Sequence, residues 1–317
     1  MALRIAFFGT PDFAVPTLER LLAGPHPVVV AVSQPDRPRG RGRRSDPSPV
    51  SQRAEAAGVP LLRPERVVDA LPRLAGAAPD VGVVVAYGQF LPKSVRTLPA
   101  RGYCINAHAS LLPRWRGAAP IARAILSGDA TTGISVMRVE REMDAGPVAL
   151  VREIAIGEQE TCGELGARLA ALAADAIADA LAQVETDTVK WQEQDASRAT
   201  LAPKLEREEA RLRFEEPALA LAKRVRALSP SPGAFALFRG APLRILRARA
   251  EAGATSDAPG CVRLVGKHAL RVATGDGWLV PQELQRPGGR PLETAAFLRG
   301  HPIPDGARLG AEPQGAP

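Results

Sequence analysis

The sequence has few of the residues that build metal centres and disulfide frameworks. Only three cysteines, Cys104, Cys162 and Cys261, occur in 317 residues, and they lie far apart. Neither Cys-x-x-Cys nor His-x-x-x-His is present, so we predict that the protein has no zinc site and uses no metal. An odd, scattered set of cysteines is typical of reduced thiols, which indicates a cytoplasmic protein.

Long apolar runs are missing as well. No run approaches the roughly 18 apolar residues of a membrane-spanning helix, and the first residues lack the layout of a signal peptide. We therefore expect no membrane partner. Hydrophobic residues still make up 45% of the chain, and a length of 317 residues suggests two domains with cores of their own.

Acidic residues are outnumbered, which leaves a net charge of +7 and a pI near 9.9. Residues 208–317 hold 16 Lys and Arg against 11 Asp and Glu, a net charge of +5, whereas residues 1–207 carry only +2. A basic surface favours a polyanionic partner such as nucleic acid, although an arginine-rich composition alone could give the same total.

The first part of the chain alternates β-branched runs with helical patterns. This alternation predicts an α/β fold with a mostly parallel, Rossmann-like sheet in a domain of residues 1–187. Gly-x-Gly-x-x-Gly is absent, so we expect no NAD. Strands are predicted at residues 3–8, 28–32, 59–62, 81–86, 103–105, 134–139 and 147–156, and helices at 13–22, 51–57, 64–76, 119–127 and 161–184.

The hydrophobic pattern lapses after residue 185, and we predict an interdomain linker at residues 188–207. A helix is expected at residues 218–228. Five short β-prone runs with Gly and Pro turns follow, which predicts a small OB-like β-barrel in a domain of residues 208–317. Its tail from residue 304 is expected to fray. The strands are predicted at residues 234–238, 243–249, 261–265, 269–273 and 278–283.

Three polar residues of catalytic type follow β-prone runs. Asn106 and His108 alternate, so on an extended chain they share one face, and Asp144 lies beyond the next strand. Ligands bind at the carboxyl ends of strands in open α/β sheets, so we expect the three groups to meet there. An amide that donates to an oxyanion, an imidazole that moves a proton and a carboxylate that orients it suit acyl transfer.

The motif around these residues resembles the formyltransferase family that uses 10-formyltetrahydrofolate. It consists of Asn106-x-His108-x-Ser110-Leu-Leu-Pro113, then Arg-Gly at positions 116–117, then Asp144-x-Gly146. The wider resemblance covers most of the chain. It implies that Asn106, His108 and Asp144 are catalytic, and that a formylated folate is the co-substrate. The folate-binding residues that it implies are Tyr87, Gly88, Gln89, Phe90, Leu91, Pro92, Ser110, Leu111, Leu112 and Pro113.

A basic stretch at residues 34–49 contains five arginines spaced by Gly and Pro. This composition predicts a long loop without regular elements. The loop resembles one that, in family members acting on initiator methionyl-tRNA, enters the acceptor end of the tRNA. The resemblance therefore implies tRNA as partner and translation initiation as the process, and we expect a monomer. The predicted tRNA-binding residues are Arg37, Arg39, Arg41, Arg43 and Arg44 in the loop, with Lys223, Arg224 and Arg226 on the helix at 218–228.

Two other functions stay open at this point. The same motif would serve formyl transfer to a small amine, such as glycinamide ribonucleotide or an amino sugar nucleotide. The chain could also be a tRNA-binding protein without catalysis, although binding alone does not require the three polar residues. Arg114 and Arg116 could contact phosphate or folate, or be solvated charges.

Overall fold

The structure, a computed structural model, describes residues 1–39, 44–266 and 268–310, with the backbone alone for residues 37–39, 44 and 45. The described chain forms two compact units. The first comprises residues 1–120, 131–155 and 166–202, and the second comprises residues 121–130, 156–165 and the described residues from 203 onward. The predicted boundaries at residues 187 and 208 stay predictions.

The first unit is built on a seven-stranded sheet with the order β10-β9-β7-β6-β1-β2-β5. Five neighbouring strands are parallel, and β9 and β10 add an antiparallel edge. The mixed α/β architecture with a mostly parallel sheet is therefore confirmed. The strands are β1 (Ile5–Gly9), β2 (Val28–Val32), β5 (Leu61–Leu62), β6 (Val81–Val85), β7 (Cys104–His108), β9 (Thr131–Arg138) and β10 (Val148–Ala155).

The central strands are covered on both faces, as their near-continuous apolar sequences require. Every residue of β1 and β6 is buried, because a parallel strand in an α/β sheet has no solvent face. The order reverses between β1 and β6, and open sheets of this kind bind ligands at the carboxyl edge beside such a reversal. The helices of this unit are α1 (Val15–Leu22), α2 (Pro49–Ala56), α3 (Leu71–Gly76), α4 (Lys93–Arg96) and all but the first turn of α6 (Cys162–Glu185), whereas α5 (Pro120–Ser127) belongs to the second unit from residue 121 onward.

Two expectations for this part of the chain are wrong. The basic stretch does contain regular elements, because β3 (Arg37–Arg39) and β4 (Arg44–Asp46) pair as an antiparallel ribbon. Both strands of an isolated ribbon are edges, and an edge tolerates a proline such as Pro38. The helix predicted at residues 64–76 is also shorter: a 3-10 turn, Val67–Ala70, precedes α3, since Pro64 and Pro72 interrupt the pattern.

The second unit contains an antiparallel sheet with the order β12-β13-β16-β15-β14, and β17 pairs with β16. The five predicted strands are confirmed, and the predicted helix 218–228 matches α7, which packs against β13 and β16. Closure of these strands into an OB-like barrel stays a prediction. The elements are α7 (Ala218–Leu228), β12 (Ala234–Phe238), β13 (Ala241–Ala252), β14 (Val262–Val265), β15 (Ala269–Ala273), β16 (Gly277–Gln285), β17 (Leu292–Glu293) and α8 (Thr294–Gly300).

The expected fraying from residue 304 is wrong for the described part of the tail. Leu309 is buried in the core of the second unit, and its amide donates to Gly260 O at 2.8 Å. Arg308 forms a β-bridge with Cys261. Ala307 also packs against this core, and Asp305 accepts a hydrogen bond from Leu264 N at 2.8 Å. The apolar periodicity of the sequence gave no sign of these contacts. None of the helices in the described ranges is long and apolar enough to cross a membrane.

Candidate active site

Strand β7 presents Asn106 and His108 on one face of the first unit's sheet. The strand continues through His108 because both of its edges are paired: Asn106 lies opposite Val84 of β6 and Met137 of β9. The Asn106 side chain is half-buried. Among the described residues none forms a hydrogen bond with its amide group. A partly desolvated amide without a protein partner is a donor available to a ligand.

The imidazole of His108 is buried between two acceptors. Its Nε2 lies 2.8 Å from the carbonyl oxygen of Trp115, and its Nδ1 lies 3.5 Å from Asp144 Oδ2. A carbonyl oxygen can only accept, so Nε2 carries a proton in this arrangement. The side chains of His108 and Asp144 are 7% and 14% exposed, so little water competes with the pair.

Asp144 is held in place by backbone groups that lie close to it and to Gly146. Its carboxylate accepts a hydrogen bond from the Gly117 amide at 2.9 Å, and its own backbone is left-handed, with φ of +52°. A Cβ on Gly146 would lie 2.1 Å from Arg138 O, so only glycine fits there. The spacing Asp144-x-Gly146 thus has a steric origin.

The predicted convergence of His108 with Asp144 is found, but its expected cause is wrong. Strand β9 runs antiparallel to β7, with His108 opposite Ser135. Residues after β9 therefore do not start from the edge where the parallel strands end. Asp144 reaches the imidazole because the loop after β9 turns back beside Gly117.

Several contributors to the site were missed from the sequence, and Gln194 is the main one. Its Nε2 donates to Asp144 O and Gly146 O, both at 2.8 Å, and its Oε1 accepts from Arg116 Nε and Nη2 at 3.1 and 2.9 Å. Thr200 Oγ1 accepts from the Trp115 amide at 2.9 Å. Both Gln194 and Thr200 lie in the predicted linker, where no periodicity or motif marked them.

The loop after β6 holds the first set of predicted folate-binding residues. The Tyr87 ring is buried, and burial raises the pKa of its hydroxyl above the usual value, so the hydroxyl stays protonated. The Gln89 side chain accepts from Val67 N and donates to Pro64 O, and Leu91 is buried. Gly88, with φ of +91°, and Phe90, 61% exposed, are the members of this loop that offer surface, and Pro92 caps α4.

The second predicted set, Ser110 to Pro113, is tied to the sheet. The Ser110 hydroxyl donates to Arg114 O at 2.6 Å. Ser135 Oγ donates to Ser110 O at 2.7 Å and accepts from Leu112 N at 3.1 Å. Leu111, Leu112 and Pro113 are half-buried, and the Leu112–Pro113 peptide bond is cis. These residues offer partly exposed apolar surface beside His108 in the chain.

A pocket of about 380 Å³ lies at the reversal of the strand order. Residues that follow β1, β2 and β6 line it, among them Thr10, Gln34 and Gly88. Thr10 Oγ1 and Gln34 Nε2 both donate to Tyr87 O, at 2.8 and 3.3 Å, which joins the three loops. The next strand of the sheet beyond β6 is β7, which carries Asn106, but Asn106, His108 and Asp144 do not line this pocket.

The structure describes some of the predicted tRNA-binding arginines of the ribbon. Arg41 and Arg43 lie outside the described residues, and Arg37, Arg39 and Arg44 are described by their backbone, as parts of β3 and β4. The residues on either side of the ribbon are held by contacts within the first unit. Ser33 Oγ and Ser48 Oγ are 2.6 Å apart, and Arg63 Nε lies 3.3 Å from Asp36 Oδ1.

The predicted basic residues of α7 have partners in the second unit. Arg224 forms a two-pronged ion pair with Glu216, with both distances at 2.8 Å. Arg226 donates to the carbonyls of Gly157 and Glu160, and burial lowers its pKa. Lys223 lies beside Gly128, and a Cβ there would touch its ammonium group. The two arginines would have to exchange or share these contacts to bind phosphate.

Of the two arginines left open by the sequence, Arg116 is 7% exposed and binds Gln194, so it is not a solvated charge. Arg114 is exposed and lies over the Trp115 ring, 5.2 Å from its centroid. No cluster of three or more His, Cys, Asp or Glu suited to a metal ion occurs in the part of the chain that the structure describes.

Comparison with known proteins identifies the family. Residues 3–181 match the Formyl transferase family, and residues 204–302 match the Formyl transferase C-terminal domain family. The chain is 46% identical over 312 residues to methionyl-tRNA formyltransferase from Thiobacillus denitrificans, covering 98% of this chain and 100% of that one. It is 47% identical over 320 residues to the protein of the same name from Chromohalobacter salexigens, with 98% of each covered.

Solved structures share the fold at low identity. HypX from Aquifex aeolicus, in complex with tetrahydrofolic acid, superposes with a TM-score of 0.64 at 18% identity. The match covers 94% of this chain and 47% of HypX, so this chain spans about half the length of that protein. Methionyl-tRNA formyltransferase from Clostridium thermocellum gives a TM-score of 0.54 at 16% identity, with 78% and 91% covered. The resemblance drawn from the motif is confirmed, and the chain belongs to the formyltransferase family.

Proposed function

We propose that this protein transfers a formyl group from 10-formyltetrahydrofolate to the α-amine of methionine carried by initiator tRNA. The observation that carries the proposal is the unpartnered Asn106 amide on the same strand face as the His108–Asp144 pair. The relatives' name adds the acceptor, because relatives called methionyl-tRNA formyltransferase align over nearly the whole chain.

Asn106 acts on the formyl oxygen. The attacking amine forms a bond to the formyl carbon, and the bond from that carbon to the folate nitrogen breaks. Negative charge grows on the formyl oxygen between these events, and a donor aimed at that oxygen stabilises the transition state. The half-buried amide of Asn106 has no protein partner to give up, so it is organised for this task before the substrates bind.

His108 and Asp144 handle the proton that the amine loses. Nε2 is bonded to Trp115 O, so the ring can take up a proton only at Nδ1. Asp144, which faces Nδ1, would accept the proton from the amine and pass it to the ring. Asp144 then stabilises the charged ring. A separation of 3.5 Å between Nδ1 and Oδ2 leaves no space for a bridging water, which supports direct pairing over a water-mediated contact. The folate nitrogen gains one proton as it leaves.

The folate would lie between the loop after β6 and residues Ser110 to Pro113. The fit rests on Phe90, which is 61% exposed, and on the partly exposed apolar surface of Leu111, Leu112 and Pro113. An exposed phenyl ring and an apolar wall suit a flat heterocycle. Backbone groups around Gly88 would supply polar contacts, since the side chains of Tyr87 and Gln89 are held inside the protein.

Cationic residues would hold the tRNA. We assign the phosphate contacts to Arg37, Arg39, Arg41, Arg43 and Arg44, because Asp46 and Ser48, which follow them in the chain, line the pocket. Guanidinium groups grip phosphates with paired hydrogen bonds. We assign the second basic surface to the domain at residues 208–317, whose strands would form an OB-like barrel and whose α7 would contribute Lys223, Arg224 and Arg226. We also propose that residues 1–187 form a Rossmann-like domain. The protein would be a monomer in the cytoplasm.

The decisive assay is transfer of labelled formyl from 10-formyltetrahydrofolate to charged initiator tRNA. Elongator methionyl-tRNA and glycinamide ribonucleotide are offered as competing acceptors. We expect label on the initiator tRNA alone. Label on the small amine would favour a small acceptor, and binding of tRNA without transfer would favour a non-catalytic binding protein.

A second test examines the phosphate contacts. If the arginines neutralise several phosphates, tRNA affinity falls by about 10³ or more between low and moderate salt. Replacing Arg39, Arg41 and Arg43 by alanine should weaken tRNA use and leave folate binding unchanged. Equal loss of both would contradict the role given to the ribbon.

A further inference from the structure

Residues 191–202 lie between the two stretches that match the formyltransferase families, 3–181 and 204–302. In the first unit this segment packs against the candidate site. The Trp191 ring meets Tyr103 edge-to-face at 5.5 Å, and the Arg138 guanidinium lies 4.5 Å from the centroids of both rings. Gln192 exchanges two backbone hydrogen bonds with Val148, at 2.8 and 2.9 Å. The segment is therefore held at its start by rings and by strand pairing.

The Gln194 side chain uses its whole hydrogen-bonding capacity. An amide has two N–H donors and an oxygen with two lone pairs. Both donors go to carbonyls, of Asp144 and Gly146, and both lone pairs go to the Arg116 guanidinium, with all four distances between 2.8 and 3.1 Å. One side chain thus joins two stretches that are far apart in sequence.

Those two stretches supply both acceptors that face His108. One carries Asp144, whose carboxylate lies at Nδ1, and the other carries Trp115, whose carbonyl lies at Nε2. The Gly117 amide, which donates to Asp144 Oδ2, follows Arg116 directly. A change in the Gln194 contacts would therefore move both neighbours of the imidazole at once.

A second contact fixes the Trp115 side. Thr200 Oγ1 accepts from Trp115 N, and Thr200 O accepts from Arg116 N, both at 2.9 Å. Leu201–Ala202 then runs parallel to Arg116–Gly117 as a two-stranded sheet, β11 with β8. A Cβ on Gly117 would lie 2.7 Å from Ala202 O, so the two backbones are in direct contact.

We propose that Gln194 is a positioning residue for formyl transfer: it holds the Asp144 and Trp115 stretches at the spacing that places His108 between its two acceptors. This inference rests on the proposed function of the site. The amide contacts no reacting atom, so its loss should lower kcat and leave the KM values for folate and tRNA nearly unchanged. The segment 191–202 is then part of the catalytic machinery as well as a connection.

A purely structural role for Gln194 is the competing explanation. Arg116 is 7% exposed, and its other acceptor, Glu142, lies 3.5 Å away with a side chain that is 79% exposed. Gln194 could serve only to satisfy this buried guanidinium. Replacing both partners of such a contact with apolar side chains of similar shape is often nearly neutral, whereas removing one partner is costly. The two roles can therefore be separated by a pair of substitutions.

The experiment compares Gln194→Leu, Arg116→Met and the double variant in the formyl-transfer assay and in thermal unfolding. We expect Gln194→Leu to lower both Tm and kcat, with kcat falling about 100-fold, as a displacement near 1 Å can cause. In the double variant Tm should recover in part, because no buried guanidinium is left without its acceptor. The kcat should stay low, because the Asp144 and Gly146 carbonyls still lack their donors. Gln192→Ala is the matched control, since that side chain is exposed, and it should keep wild-type kcat.

Two results would overturn the inference: a kcat that recovers together with Tm in the double variant, and a Gln194→Leu kcat within about threefold of wild type. Arg116→Met should also lower kcat, because the Arg116 guanidinium ties Gln194 to the Trp115 stretch. A wild-type protein that transfers no formyl group would instead overturn the proposed function.

A measurement made without substrate separates failure of the positioning role from failure of the proposed function. In histidine labelled with nitrogen-15, the Nε2–H of His108 should exchange slowly in the wild type and in Gln192→Ala, because it is buried and bonded to Trp115 O. In Gln194→Leu its exchange should accelerate at least about tenfold, as the site opens more often. Unchanged exchange would contradict the positioning role whether or not the enzyme is active. The variant His108→Asn identifies the signal.

Discussion

Replacing Asn106 by alanine is the sharpest test of how the site works, because this side chain has no second role in the described structure. Asn106 is the only asparagine in the sequence. Its backbone is paired on both sides within the sheet, and alanine keeps those pairings. The amide forms no hydrogen bond with the described residues, so its removal leaves no buried partner unsatisfied.

The expected magnitudes differ sharply between stability and catalysis. The free energy of unfolding should change by no more than about 1 kcal/mol, as for a partly exposed side chain without partners. The barrier to formyl transfer should rise by about 2.7–4 kcal/mol, which is the usual cost of one oxyanion donor and corresponds to a 100- to 1000-fold fall in kcat. KM for the folate should change little, because the contact strengthens in the transition state.

The assay is steady-state transfer of labelled formyl to initiator methionyl-tRNA, with thermal unfolding measured on the same samples. A fall in kcat of less than about tenfold in a folded variant would refute the role of Asn106. A loss of folate binding equal to the loss of kcat would also refute it, since the amide would then stabilise ground and transition states alike.

Three further predictions concern Gly146, Cys104 and Glu164. Gly146→Ala should destabilise the protein by about 1–3 kcal/mol and lower kcat, because its Cβ would lie 2.1 Å from Arg138 O, whereas Gly76→Ala, with nothing within 4 Å, should be neutral in thermal unfolding. Burial raises the pKa of the Cys104 thiol to about 12, so Cys104 should resist alkylation near neutral pH until the protein unfolds, and mass spectrometry would reveal any labelling of the native state. Hydrogen bonds from the Thr161 backbone and from Arg247 lower the pKa of Glu164 from 4.5 to about 2. Wild type should therefore be more stable than Glu164→Gln above pH 4.5, and this difference in the free energy of unfolding should shrink as the pH falls towards 2. The difference should stay within about 1 kcal/mol, because the Glu164 side chain is 47% exposed. A difference that grows as the pH falls would contradict this.

Much of the fold was predictable from local patterns. Strands such as Val28–Val32, Ala234–Phe238 and Ala269–Ala273 were predicted with the right bounds, because short β-branched or apolar runs end at clear turn residues. Helix Ala218–Leu228 was predicted in the same way from its apolar spacing. The pairing of His108 with Asp144 could also be anticipated, since the motif and the family resemblance pointed to it.

What the sequence did not reveal depends on contacts between distant segments. The antiparallel direction of β9 is set by its pairing with β7, and nothing in Thr131–Arg138 encodes direction. The short ribbon at Arg37–Arg39 and Arg44–Asp46 forms despite a composition that favours irregular structure. Gln194 sits in a stretch without periodicity, and its importance comes entirely from two carbonyls and one guanidinium supplied by other elements.

The most direct test of the central claim uses the single asparagine. Labelling the asparagine side chain with nitrogen-15 gives one NH₂ pair, that of Asn106, so every change reports on this amide. We predict that a formyl-bearing folate analogue that cannot transfer its group shifts both signals, and that tetrahydrofolate without the formyl group shifts them much less. Identical shifts with the two folates, or no shift when equilibrium dialysis shows that the analogue is bound, would contradict the claim that Asn106 donates to the formyl oxygen.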